Sequence, residues 1–62
     1  MKIEKEIIGK KVYVRLRTGG SYSGIVRRVE STFMEINAGN GTVRLQNGMI
    51  ASLQVLEMSK VD

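Results

Sequence analysis

The side chains that could do chemistry in this chain are arginines, one phenylalanine, and a few carboxylates and amides. Cysteine and histidine are absent. That removes disulfides, thiolate nucleophiles, the common zinc-ligand sets and the commonest general base together. No helix places paired acids for catalysis, and Gly39-Asn40-Gly41 reads as a hairpin turn rather than a phosphate-cradling loop that opens a helix. The chain is expected to bind rather than catalyse, with no metal, no cofactor and no small-molecule substrate. Ten Lys and Arg against six Asp and Glu leave a formal charge of +4, which suits a polyanionic partner held by phosphate contacts and counterion release. Five of the cations are arginines, Arg15, Arg17, Arg27, Arg28 and Arg44, and four of these fall in one predicted hairpin. A guanidinium suits phosphate better than an ammonium does. Taken singly, such arginines usually form a solvated face; on neighbouring strands they are also a candidate phosphate patch. Phe33 is the only phenylalanine and there is no tryptophan. It is either a platform for a base, worth about 1–3 kcal/mol per base, or core filling, the commoner use. Tyr13 and Tyr22 read as packing or rim residues.

The elements that must position these groups are short. Ile3 and Ile7 lie four apart around Glu4, Lys5 and Glu6, which predicts a helix of one or two turns over residues 2–8, ended by Gly9. Residues 11–17 alternate: Val12, Val14 and Leu16 point one way, Tyr13, Arg15 and Arg17 the other. This is a half-buried strand. Thr18-Gly19-Gly20-Ser21 supplies a tight turn. Residues 22–30 read as a second strand whose Gly24 marks a bend, a bulge or a close backbone approach. Residues 33–36 and 42–46 make the third and fourth strands around a turn at Ala38-Gly39-Asn40-Gly41. Asn47-Gly48 is the strongest two-residue turn signal, and residues 49–57 make a fifth strand. Residues 58–62 are expected to form a frayed tail.

A chain of 62 residues holds one domain with a modest core. Domains of this size commonly need a staple, and without cysteine or histidine the remaining one is self-association. Apolar runs are too short to span a membrane, and Met1 to Glu6 lacks the apolar core of a secretory signal. A cytoplasmic location is expected, or a nuclear one in a eukaryotic source.

Val14, Leu16, Gly19, Gly24, Val26, Val29 and Glu30, followed by Phe33-Met34-Glu35-Ile36, form one pattern. Leu45-Gln46-Asn47-Gly48-Met49-Ile50-Ala51-Ser52-Leu53 forms another. Together they resemble the two sequence motifs of the Sm/LSm family, which includes the bacterial Hfq and the archaeal Sm-like proteins. Residues 9–56, about three quarters of the chain, carry the resemblance. Two departures stand out. Laid down without a gap, the first motif would bury the Glu35 carboxylate, at a cost of several kcal/mol. One extra residue before the strand instead turns Met34 and Ile36 to the core. Phe33 then takes the family's base-stacking position, and Glu35 the position of its base-reading asparagine. In the second motif Gln46-Asn47 stands where the family has arginine-glycine. Asparagine tolerates the left-handed backbone of that turn, but the base-pocket arginine is missing, so the resemblance does not carry over the family's usual preference for uridine and leaves the base open.

The resemblance implies an all-β fold: a short N-terminal helix followed by a strongly bent five-stranded antiparallel SH3-like (Sm-like) barrel. It forms a single domain over residues 1–62, with the helix at about 2–8, the barrel at about 10–57 and the tail at 58–62. In the family the fourth strand of one subunit adds to the fifth strand of the next. Val43 and Leu45 would meet Ile50, Leu53 and Val55 in such a seam, closing a homo-oligomeric ring of roughly five to seven subunits. Phe33, Glu35, Gln46 and Asn47 would line the pore, while Arg15, Arg17, Arg27, Arg28 and Arg44 guide the phosphates. The implied function is passive binding of single-stranded RNA, or DNA, in RNA processing or as an RNA chaperone. The alternative is an SH3-like protein-interaction module or structural ring subunit that binds no nucleic acid.

Overall fold

The structure is a computed structural model that describes residues 3–56. Five strands form one antiparallel sheet: β1 Lys11–Leu16, β2 Ser21–Val29, β3 Phe33–Asn37, β4 Thr42–Gln46 and β5 Ile50–Val55. They run in the order β4-β3-β2-β1-β5. Alternation places Val12, Val14, Val26, Val29, Met34, Ile36, Leu45 and Ile50 on one face, where all eight are buried. Leu16, Val43 and Leu53 pack against them at the margins. Met34 and Ile36 are both fully buried while Phe33 and Glu35 are only half-buried, so β3 keeps its carboxylate out of the core.

Glycine does the work at three bends. Gly19 and Gly39 adopt φ of 100° and 101° in the turns after β1 and β3, a conformation that a Cβ disfavours. Gly24 is different, because its φ is ordinary and the constraint is space. A Cβ there would run into the Asn37 carbonyl oxygen, with the carbonyl carbon 2.8 Å and Ala38 Cα 3.1 Å away. The ladder also slips between Val26 and Arg28 on β2, and between Arg15 and Leu16 on β1. Such slips bend a sheet and add twist.

Two expectations about local elements are corrected. The N-terminal segment is a single 3-10 turn, Lys5–Ile7, rather than a helix over 2–8. So few residues before Gly9 cannot repay helix nucleation, yet Ile3 and Ile7 still pack on the core. Asn47-Gly48 makes no two-residue hairpin, and Asn47 has no left-handed backbone. Asn47–Met49 is a 3-10 turn joining β4 to β5 at opposite ends of the sheet. The sheet is open: among the described residues no ladder pairs β4 with β5. It nevertheless curls. Laid flat, β4 and β5 would lie about 19 Å apart, four spacings of ~4.8 Å, whereas a 3-10 turn advances only about 2 Å per residue. The expected tail, with Lys2 of the helix and Glu57 of the last strand, lies outside the described residues. No helix among those described is long and apolar enough to cross a membrane.

The two kinds of glycine separate by mutation. Gly24→Ala is expected to cost about 1–3 kcal/mol by overpacking against backbone. Gly20→Ala, whose Cβ would sit 3.8 Å from Leu16 Cδ1, should be neutral or stabilising by about 0.4–1 kcal/mol. Urea denaturation of both variants makes the comparison, and equal stability would refute the close approach at Gly24.

Candidate nucleic-acid interface

The antiparallel register lines up functional side chains across three strands. Arg28 on β2 is opposite Glu35 on β3, and Glu35 is opposite Arg44 on β4. One step along, Phe33 faces Gln46. All project from the face away from the core, because they alternate with Val29, Met34 and Leu45.

Two guanidinium groups converge on Phe33. Arg44 Cζ lies 4.4 Å from the ring centroid and Arg28 Cζ lies 5.5 Å away, both within the range of a cation–π contact. Each arginine is held by its own carboxylate. Arg44 donates from Nε and Nη2 to Glu35 Oε2 at 3.1 and 3.0 Å, and Arg28 donates from Nε to Glu30 Oε2 at 2.8 Å. The hydrogen bond from Arg28, and then its charge, hold the Glu30 carboxyl below the usual glutamate range; the same pairing raises Arg28 above its ordinary value. A carboxyl depressed in the folded state lends stability above its unfolded-state pKa, and that contribution fades as pH falls through the folded value. Both partners are solvent-exposed, so the pair is screened.

The remaining expected site residues scatter. Arg17 is a latch on the crossover turn: its backbone N–H reaches Met49 O at 2.8 Å and its Nε reaches Gly48 O at 3.0 Å. Arg15 is exposed on β1, flanked in register by Ser21 and Ser52. Arg27 is exposed at the slip in β2. Neither has a carboxylate partner among the described residues. Gln46 is exposed beside Phe33, whereas Asn47 is buried. The Asn47 amide donates to Glu30 O and Ser31 O, both at 3.3 Å, and its backbone N–H reaches Thr32 O at 2.9 Å. Asn47 therefore ties the crossover turn to the β2–β3 connection, at the floor of a recess it shares with Ile3, Val29, Glu30 and Ser31 and away from Phe33's face of the sheet. Of the seam residues, Val43 and Leu53 are half-buried and Val55 is exposed, all on edge strands; Leu45 and Ile50 lie inside the core of the single chain.

Sequence reasoning missed Glu30 and the Arg17 latch. Glu30 had a signal, since it stands two residues beyond Arg28, on the same side of an extended chain. The latch had none, because it depends on where the crossover turn docks.

No known protein-family model, curated protein or solved structure is significantly similar to the chain. The geometry must carry the functional reading.

The Arg28–Glu30 pair is testable directly. In an NMR titration the Glu30 carboxyl should show a midpoint below that of an ordinary glutamate, and Arg28→Gln should return it to the ordinary range. A midpoint indifferent to that substitution would remove the ion pair.

Proposed function

We propose that this chain is an Sm-like subunit of a homo-oligomeric ring that binds single-stranded RNA. The observation that carries the reading is topological: a curled sheet in which β4, paired only with β3, and β5, paired only with β1, each keep one free edge among the described residues. Unpaired edges invite strand addition, and one copy's β4 laid against the next copy's β5 would complete both. Val43, Leu53 and Val55 bring apolar side chains to those edges, where the seam would cover them. Pairing repeated head to tail either closes or makes fibres, and the resemblance to the Sm/LSm family implies a closed ring of roughly five to seven subunits with a barrel-like sheet in each.

A ring multiplies a weak contact per subunit into useful avidity for a flexible strand. Arg15 and Arg27, without carboxylate partners among the described residues, are the groups best placed to hold phosphates, and Phe33 with its two guanidiniums offers stacking surface. Such a ring acts passively in RNA processing or as a chaperone of RNA pairing. One observation favours the other reading, an SH3-like protein-interaction module: the two arginines at Phe33 are neutralised by Glu30 and Glu35.

Salt separates the two readings. Binding of a labelled U-tract or A-tract RNA should weaken steeply with salt, with a logarithmic slope of about −0.7 for each phosphate contact. Replacing Arg15 and Arg27 with Gln should flatten that slope. No binding of any RNA or DNA strand below about 10 µM at low salt would exclude the nucleic-acid reading.

A further inference from the structure

We propose that the outer face of β3 and β4 is a guanine-selective base site, which Arg44 fills while no strand is bound. This rests on the RNA-binding reading above and specifies the base. The Arg44 guanidinium is a planar π-system lying over Phe33, 4.4 Å from the ring centroid. It turns two neighbouring N–H groups, Nε–H and Nη2–H, toward one carboxylate, Glu35. The N1–H and N2–H edge of guanine has the same character: a planar π-system with two adjacent donors and no acceptor between them. No other common base matches it. Adenine and cytosine set a ring-nitrogen acceptor beside their amino group, and uracil sets a single N3–H between two carbonyl oxygens, so each brings a lone pair toward the carboxylate.

The site is arranged for exchange. The Arg44 side chain is 57% exposed, so it can leave, while that of Glu35 is 18% exposed and stays anchored in the sheet. Arg44 uses only Oε2, and Oε1 accepts no hydrogen bond among the described residues. An incoming guanine can use both oxygens, one for each of its donors. Gln46, opposite Phe33 in the ladder, adds an amide whose N–H suits guanine O6. Once displaced, Arg44 loses its carboxylate and becomes available to the neighbouring phosphate. The net charge of the cluster does not change on exchange; what an incoming base frees is the Arg44 guanidinium.

Fluorescence anisotropy of the full chain at low salt tests this with five labelled RNA strands of equal length: all-uridine, and uridine alternating with guanosine, inosine, adenosine or cytidine. The guanosine strand should bind about tenfold tighter than all-uridine, within the range that a bidentate base contact discriminates. Inosine, which lacks the N2 amino group, should lose most of that advantage. Glu35→Gln should bring the guanosine and all-uridine strands level while still binding the latter. Equal binding of all five strands, or an undiminished guanosine preference in Glu35→Gln, would overturn the guanine site and leave RNA binding intact. Binding of none would overturn both.

Discussion

A three-residue connection, Asn47–Met49, has to carry the chain from one margin of a five-stranded sheet to the other. Nothing that short bridges a flat sheet of this width, so the strands must curl until their edges approach at that corner. Much of the structure serves this demand. Gly24 lets β2 press against the end of β3, and the slips in β1 and β2 bend the ladder. Arg17 and Asn47 pin the connection from opposite sides. β4 and β5 each keep one free edge among the described residues, and that is the opening through which other copies of the chain would enter.

The electrostatics divide along the sheet. Around Phe33, Arg28 of β2 and Arg44 of β4 are paired with carboxylates, giving a polar, stacked cluster with little net field. On β1, and at the slip in β2, Arg15 and Arg27 stand without such partners among the described residues. Long-range attraction of a polyanion would come from the second region. Selection would come from the first, where a ligand has to compete with contacts already made.

Alternation made the five strands legible, and on β1 it gave the core face, Val12 and Val14, while on β3 it allowed either Met34 and Ile36 or Phe33 and Glu35 to point inward. The cost of burying a charge placed Glu35 outside the core before any coordinates. The Glu35–Arg44 pairing was within reach too, because the turn at residues 38–41 fixes that register. What could not be read depends on packing between elements distant in sequence. The N-terminal segment has an apolar spacing that suits a helix, but too few residues to nucleate one. Asn47-Gly48 carries the local signature of a hairpin, and the need to cross between edges overrides it. Asn47 looked like a surface group and is spent on buried contacts with Glu30 and Ser31. Leu45 and Ile50 looked like seam residues because they sit on edge strands; the curl of the sheet folds them into the core.

Strand addition between copies is the step on which ring, pore and avidity all depend. Multi-angle light scattering of the full chain, free of nucleic acid and at roughly 100 µM, measures it directly. A single species several chain masses in size, unchanged on tenfold dilution, is the expected result. A species of one chain mass throughout would contradict it.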